Sequence, residues 1–243
     1  MPYLLIIGAK SDIAKAIANK YAENGYDLYL AARNSKELET FAQDIRVKTD
    51  KKVECLELDI LDFASHQDFY NNLNEKPEGV ASAVGYLGDQ TESQKEFNEA
   101  QTIINTNYTG VVSLLNVIAS NFEARKSGFI IGISSVAGER GRQSNYTYGS
   151  AKAALSAYLS GLRNRLTASN VAVITVKPGF VDTQMTEDMD LPKALTATPQ
   201  QVADDVYNAQ VNGKNIIYTR WFWKWIMLII KTIPEWKFKQ LKL

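Results

Sequence analysis

Tyr148 and Lys152 are four residues apart, a spacing that puts a phenol and an ammonium on one face of a helix. A free phenol, with a pKa of about 10, is a poor acid–base catalyst at neutral pH. An adjacent cation favours the ionised phenol, so we predict that Lys152 lowers the pKa of Tyr148. Such a pair can arise by chance and needs its context. Here a Ser-Ser-Val-Ala-Gly turn at 134–138 follows an apolar run, with Ser135 thirteen residues before Tyr148.

A second candidate site is the turn at 8–14, Gly-Ala-Lys-Ser-Asp-Ile-Ala, which joins the first apolar run to the first helical stretch. A phosphate-binding turn needs glycine where the backbone approaches the ligand, and a helix N-terminus supplies amides and positive potential. Gly8 meets the first need. For Asp12 we predict a cap on the helix amides that faces away from phosphates. The competing interpretation is an ordinary strand-to-helix turn.

The end of the second strand bears on the choice of cofactor. An acid there would hold the adenosine ribose hydroxyls and disfavour a 2′-phosphate. The sequence Ala-Arg-Asn at 32–34 has no acid and one guanidinium, so Arg33 favours NADPH over NADH. The alternative is a solvated surface arginine.

The elements that must position these residues alternate along the chain. Apolar runs predict strands at 3–7, 27–31, 53–58, 79–84, 128–133, 171–176 and 215–218. Helical spacing predicts helices near 12–24, 35–50, 62–74, 93–125, 146–168 and 199–211. Several strands are apolar on both faces, which suits a parallel sheet covered by helices on both sides. The expected fold is a doubly wound α/β sheet with three layers, α/β/α.

With these motifs in their predicted context, residues 3 to about 218 resemble the short-chain dehydrogenase/reductase family, whose fold is a Rossmann fold. The resemblance rests on the 134–138 turn, the Tyr148 and Lys152 pair, Asn107 in Asn-Tyr-Thr-Gly, and Lys-Pro-Gly-Phe-Val-Asp-Thr at 177–183. The sequence departs from the family pattern in two places. Asp12 and Ala14 replace glycines of the first turn, and Ala-Val-Gly at 83–85 stands where the family has Asn-Ala-Gly.

The resemblance implies the roles of single residues. Tyr148 would give a proton to the substrate oxygen as the cofactor delivers hydride, and Ser135 would hydrogen-bond that oxygen. Lys152 would tune Tyr148 and hold the nicotinamide ribose, while Asn107 would support a water that relays protons. The expected cofactor-binding residues are Gly8, Lys10, Ser11, Asp12, Ile13, Arg33, Asp59, Ile60, Gly85, Tyr148, Lys152, Pro178, Gly179, Val181 and Thr183.

Composition limits the other classes of function. A length of 243 residues favours one domain, at 1–219, and the net charge of zero argues against nucleic-acid binding. One cysteine and one histidine cannot make the usual zinc set. The histidine, His66, lies in a polar helix, and we predict that it is solvated rather than catalytic. The first apolar run is too short for a signal peptide core, so the expected location is cytoplasmic.

Residues 220–243 form a tail that differs from the rest of the chain. Six basic residues and one acid give it a charge of +5, which leaves −5 for residues 1–219. Tryptophans and aliphatics alternate with lysines, and helical spacing puts Lys224, Lys231, Glu235 and Lys242 near one face. This amphipathic pattern is typical of an interfacial helix on an anionic membrane, here its inner face. The alternative is packing on the domain or in an oligomer interface.

The tail, the 8–14 turn and Gly-Tyr-Leu-Gly-Asp at 85–89 together resemble a branch of the family that includes reductases of polyprenyl-phosphoryl keto-sugars. A membrane-bound, lipid-linked carbonyl substrate is therefore one hypothesis. A soluble 3-ketoacyl or other ketone reductase is the second, and a dinucleotide-binding regulator without activity is the third. The resemblance also implies a homo-oligomer. Segments 139–145 and 184–198 are the expected substrate loops.

Overall fold

The computed structural model describes residues 1–241. Its main feature is a seven-stranded parallel sheet. The strands of this sheet are β1 Tyr3–Ile7, β2 Asp27–Ala32, β3 Val53–Glu57, β4 Gly79–Ser82, β5 Gly128–Ile133, β6 Val171–Pro178 and β9 Ile216–Thr219. Their order across the sheet is β3-β2-β1-β4-β5-β6-β9. Two short strands, β7 Phe180–Val181 and β8 Thr196–Ala197, pair with each other. The predicted doubly wound fold is confirmed.

Helices cover both faces of this sheet. They are α1 Asp12–Glu23, α2 Glu39–Thr49, α3 His66–Asn71, α4 Gln90–Ser93, α5 Phe97–Ile104, α6 Gly110–Arg125, α7 Tyr146–Leu166, α8 Pro199–Val211, α9 Trp223–Thr232 and α10 Glu235–Phe238. One apolar core joins the sheet to α1, α2 and α8, and a second joins the opposite face to α3, α6 and α7. Because both faces are buried, the strands are apolar throughout, as in the fully buried run of β1.

The order of strands sets where ligands can bind. β1 pairs with β2 on one side and with β4 on the other. The first three strands therefore extend the sheet in one direction from β1, and the strands from β4 onward extend it in the other. In such sheets the ligand site lies beyond the carboxyl ends of the strands at this switch point. The turn after β1, the end of β4 and the turn after β5 meet there.

Three predicted details differ from the structure. The helix expected at 93–125 is broken into α4, α5, a π-helical turn at Asn105–Thr109, and α6. The predicted solvation of His66 is wrong, because α3 packs on α6: the ring is 1% exposed and its Nδ1 is 2.9 Å from the Oγ of Ser113. The tail is two helices rather than one, because Pro234 separates α9 from α10.

No helix in the described part of the chain is long and apolar enough to cross a bilayer. In α9, instead, one face packs on the domain. Trp223 and Met227 are buried in a small core with Val136, which directly follows Ser135. On the opposite face Trp225 and Ile229 are in contact with solvent, at 54% and 65% exposure. The tail is therefore apolar on two sides, and its inner side is part of the folded domain.

Candidate active site

The predicted catalytic side chains Ser135, Tyr148 and Lys152 come together beyond the end of β5. Ser135 starts the turn after the strand, and the first turns of α7 carry the tyrosine and the lysine on one face. Lys152 is 2% exposed, and its Nζ donates to the carbonyls of Val84 and Ile133, at 3.1 Å each. This Nζ lies 5.6 Å from the centre of the Tyr148 ring. Two strand ends thus fix the ammonium beside the phenol.

One hydrogen bond orients the hydroxyl of Ser135, because its Oγ accepts from the amide of Ala137 at 3.1 Å. This hydroxyl also interacts with Tyr148 and lowers the pKa of that phenol. Two neighbouring hydroxyls can both reach one oxygen atom of a third molecule. This geometry can polarise a carbonyl and protonate it.

The pKa of Tyr148 is raised, whereas the sequence predicts that it is lowered. Burial raises this pKa to about 12, and the interaction with the hydroxyl of Ser135 lowers it by less. Burial also lowers the pKa of Lys152 to about 7. The predicted lowering of the Tyr148 pKa is wrong, because loss of water around the phenol favours its neutral form. Tyr148 is therefore a neutral phenol across the physiological range, which is the form that can donate a proton.

Asn107 lies in the π-helical turn and is fully buried. Its Oδ1 accepts from the amide of Tyr86 at 3.2 Å, and its Nδ2 donates to the carbonyls of Tyr86 and Ile103 at 2.6 and 2.8 Å. The side chain therefore binds the backbone after β4, next to Gly85. π-Helical turns of this kind are frequent at functional sites. The water relay expected of Asn107 stays a prediction.

The turn after β1 has the tight geometry that its glycine predicts. Gly8 has a φ of +79°, and a Cβ there would lie 3.0 Å from the amide nitrogen of Val84. Ser11 caps α1, because its side chain accepts from the amide of Ala14. The predicted cap by Asp12 is wrong: its Oδ2 accepts instead from the amide of Gln184 at 2.9 Å. Ile13 packs on the core beneath the turn.

The region after β2 holds two acids that the sequence analysis does not assign. Arg33 is exposed. Glu57, at the end of β3, accepts from the amides of Asn34 and Ser35 at 2.7 and 2.8 Å, and these bonds lower its pKa. Lys10 pairs with Glu37 at 2.6 Å. The two candidate phosphate ligands, Lys10 and Arg33, thus lie among carboxylates.

Other predicted cofactor contacts line the same edge of the sheet. Asp59 accepts from the amide of Leu61 at 2.9 Å, and Ile60 is buried against Gly110 at the start of α6. Gly85 is exposed, and a Cβ there would lie 3.3 Å from the Cε of Met185 and 3.9 Å from the Nζ of Lys152. Met185 therefore lies over the predicted catalytic residues.

The residues after β6 connect the site to the tail. Pro178 ends β6, Val181 is buried in β7, and Thr183 caps the turn Gln184–Thr186. Gly179 has no space for a side chain, because a Cβ would lie 1.9 Å from the ring of Trp223. The first helix of the tail thus packs directly on a predicted cofactor-binding turn.

Glu139 and Arg140, directly after the Ser135 turn, anchor the tail. Glu139 is largely buried between Lys177 and Lys231 and bonds to both. Arg140 donates to the carbonyls of Ile230 and Ile233 at 2.6 and 2.7 Å, and it pairs with Glu235 at 2.9 Å. Sequence reasoning missed this anchor because the partners are about 90 residues away. Glu139 and Arg140 are two adjacent charges in a turn, and no periodic pattern of residues in the sequence indicates their partners.

The arrangement fits a dinucleotide. Gly8 lets the backbone approach within the space that a Cβ would fill, and the α1 amides begin there. The buried Lys152 has one donor left for a ribose, since an ammonium has three and the carbonyls of Val84 and Ile133 take two. Within the described residues no cluster of His, Cys, Asp and Glu could hold a metal ion.

Known proteins are similar to this chain over nearly its whole length. The sequence profile described as short chain dehydrogenase matches residues 3–193. An uncharacterized oxidoreductase of Mycobacterium tuberculosis is 34% identical over 241 residues, covering 98% of this chain and 96% of its own. The NADP-dependent 3-hydroxy acid dehydrogenase of Schizosaccharomyces pombe is 25% identical over 229 residues, 88% of each chain. A solved short-chain dehydrogenase from Sphingobium yanoikuyae in complex with NADPH has a TM-score of 0.84 at 23% identity, over 97% of each chain.

Proposed function

Because this chain belongs to the short-chain dehydrogenase family of nicotinamide-dependent oxidoreductases, we propose that it reduces a carbonyl compound with NADPH and with Tyr148 as proton donor. The observation that carries this proposal is the position of Tyr148, with the hydroxyl of Ser135 interacting with it and the Nζ of the buried Lys152 at 5.6 Å from its ring centre. The direct test is consumption of NADPH by the purified protein with a panel of keto-sugars and ketoacyl compounds.

The chain's own residues divide the work as follows. When bound, a reduced nicotinamide supplies the hydride that the carbonyl carbon accepts. Tyr148 gives its proton to the carbonyl oxygen, and Ser135 donates a hydrogen bond to the same oxygen while negative charge develops there. The tyrosinate that remains regains a proton from solvent. Lys152 would hold the nicotinamide ribose, and its charge would stabilise the tyrosinate.

The preference for NADPH is supported by Arg33 and Lys10 and opposed by Glu57. A guanidinium binds a phosphate through paired, charge-assisted hydrogen bonds. Glu57 accepts from two backbone amides that an adenosine 2′-phosphate would itself use. The solved relative from Sphingobium yanoikuyae binds NADPH, which adds support. We propose that the 2′-phosphate displaces the carboxylate of Glu57 from these amides.

Arg33→Ala should weaken NADPH binding about 10- to 100-fold, the loss expected for one or two charge-assisted hydrogen bonds. NADH binding should change less than about twofold, because NADH has no 2′-phosphate. Energy transfer from tryptophan to the reduced nicotinamide measures both, since Trp223 packs on Gly179.

Two matched variants control the Arg33 experiment. Lys48→Ala removes a positive charge from α2, where Lys48 pairs with Asp44, and should leave both affinities unchanged. Glu57→Gln removes the opposing charge and should tighten NADPH binding. Equal loss of NADPH and NADH affinity in Arg33→Ala would overturn the assignment of Arg33 to the 2′-phosphate.

For the substrate we propose a membrane-associated polyprenyl-phosphoryl keto-sugar. The support is the outer surface of the tail, where Trp221, Trp225 and Trp236 are 73%, 54% and 67% exposed among lysines. Tryptophan and lysine together suit the interface of an anionic bilayer. Because the inner side of α9 packs on the site, contact of the outer side with lipid would bring the site close to a lipid-linked substrate.

The membrane hypothesis predicts that the protein sediments with anionic vesicles at low salt. Simultaneous substitution of Trp221, Trp225 and Trp236 by Gln should reduce the bound fraction at least about tenfold, because three anchoring rings are lost. These residues are preferable to a deletion of 221–243, which would also remove the buried Trp223 and Met227. Phe97→Gln is the control, since it removes an aromatic ring that is 72% exposed elsewhere. Unchanged sedimentation of the triple variant would end the membrane hypothesis.

A soluble ketone reductase is the second candidate. The Schizosaccharomyces pombe relative is named for a 3-hydroxy acid, a class of substrate that needs no membrane. Activity on soluble 3-ketoacyl compounds that survives the triple tryptophan substitution would favour it. A regulator without activity would bind NADPH and turn over none of these compounds.

A further inference from the structure

Arg142 is a half-buried arginine in segment 139–145, between the Ser135 turn and α7. Its Nη2 lies 3.3 Å from the Sδ of Met227, and a thioether is a weak acceptor. Its Nε is buried and has no hydrogen-bond partner within residues 1–241. Burial lowers the pKa of this guanidinium. The charge is therefore partly shielded from water, and no acid among residues 1–241 forms an ion pair with it.

Arg163 shows how this fold treats another half-buried arginine. Burial lowers its pKa too. Its guanidinium donates to the carbonyl of Val173, the hydroxyl of Thr175 and the carbonyl of Asn215, at 2.7, 2.7 and 2.9 Å. Leaving a buried charged donor without an acceptor destabilises the folded protein, because the donor has lost its hydrogen bonds to water. Arg142 lacks such acceptors among the described residues, so its environment suits a ligand that brings them.

Arg142 is connected to the predicted catalytic groups through the small core of the tail and through the chain. Met227, which it contacts, packs in the same core as Val136, and Val136 follows Ser135 directly. In the other direction Arg142 precedes Tyr148 by six residues. Between them lies Asn145, whose buried Oδ1 also has no partner in the described part of the chain. This acceptor could pair with a hydroxyl of the same ligand.

The surrounding charges also favour an anion. The ion pairs nearby are Lys177–Glu139, Lys231–Glu139 and Arg140–Glu235. Together with Arg142 they contain four basic side chains and two acids, so the region carries net positive charge. A substrate oxyanion would complete the pairing without displacing the anchor of the tail.

We propose that Arg142 binds a phosphate or carboxylate group of the substrate, so that the carbonyl to be reduced belongs to an anionic molecule. This inference rests on the proposed reductase function and names the class of its substrate. The planar guanidinium offers two parallel N–H donors, which match the oxygens of either oxyanion. Lysine at this position would supply charge without that fork.

The test compares charged ketones with neutral partners of similar shape. The probes are dihydroxyacetone phosphate with dihydroxyacetone, and levulinate with its methyl ester. All four tryptophans lie in the tail, whose Met227 contacts Arg142, so their fluorescence can report binding. The titrations use NADP⁺, which cannot reduce the probe. Arg142→Met should weaken binding of the charged probe about 10- to 100-fold and leave the neutral partner within about twofold. Arg142→Lys should recover part of the loss.

Arg165→Met is the matched control, because Arg165 pairs with Glu123 away from the site. Melting curves and NADPH titrations establish that each variant is folded. If only the binding of dihydroxyacetone phosphate depends on Arg142, the substrate is phosphorylated. If only the binding of levulinate depends on Arg142, the substrate is a keto acid. Equal affinities in Arg142→Met and wild type, or no binding of either charged probe to wild type, would overturn the inference. Binding that depends on Arg142 without any turnover would contradict the proposed reductase function alone.

Discussion

Tyr148→Phe is expected to reduce NADPH-dependent ketone turnover by about 10²- to 10⁴-fold, the contribution typical of a positioned general acid. The ring remains, so packing around α7 should persist, and only the interaction of the hydroxyl with Ser135 is lost. NADPH affinity should stay within about twofold of wild type. Steady-state rates with the best substrate of the ketone panel, together with a fluorescence titration of NADPH, measure the two effects separately.

Tyr146→Phe is the matched control for Tyr148→Phe. Tyr146 begins the same helix but is 45% exposed, so the loss of its hydroxyl should leave the rate unchanged. Because burial raises the pKa of Tyr148 to about 12, wild-type turnover should show no loss from ionisation of this phenol between about pH 6 and 10. Turnover by Tyr148→Phe at the wild-type rate would refute the proposed proton donor.

The sequence was sufficient to predict features that depend on local patterns. β1 and β5 occupy the predicted residues because both are uninterrupted apolar runs that end at a turn. The parallel arrangement follows from apolarity on both faces, and it brings Ser135, Tyr148 and Lys152 to one edge of the sheet. The three side chains could therefore be assigned to one site from the sequence alone.

Features that depend on distant contacts could not be predicted in this way. Asp12 bonds to the amide of Gln184, 172 positions away, and no local pattern distinguishes this bond from a helix cap. The bond between Glu139 and Lys231 spans 92 positions. The direction of the shift in the Tyr148 pKa could not be predicted from the sequence either, since it depends on how completely water is excluded from the site.

Lys152→Met is expected to combine a loss of activity with a change in how stability depends on pH. Turnover at about pH 6, where Lys152 is charged, should fall at least about 10²-fold, because the cation that would stabilise the tyrosinate is lost. Stability should respond differently, because Lys152 is 2% exposed and burial lowers its pKa to about 7 from an ordinary 10.5. Wild type therefore carries a cost of burying an ammonium at low pH that the variant does not have.

The sign of the pH effect follows from proton counts. Below pH 7 Lys152 is charged in both folded and unfolded wild type, so its contribution does not change with pH. Between about pH 7 and 10.5 the unfolded chain holds a proton that the folded chain has lost, so wild-type stability rises with pH. From about pH 6 to about pH 9 this amounts to about 3 kcal/mol, at about 1.4 kcal/mol for each unit above 7.

Urea unfolding of wild type and Lys152→Met at about pH 6 and about pH 9 measures this difference. The carbonyls of Val84 and Ile133 lose their donor in the variant, but that cost is the same at both pH values. The stability of wild type relative to Lys152→Met should therefore increase with pH, whichever protein is the more stable at pH 6. Lys214→Met, at an exposed position after α8, should show no such dependence. A difference between wild type and Lys152→Met that stays constant from pH 6 to 9 would mean that Lys152 keeps its proton in the folded protein, and that its charge remains available to Tyr148 throughout this range.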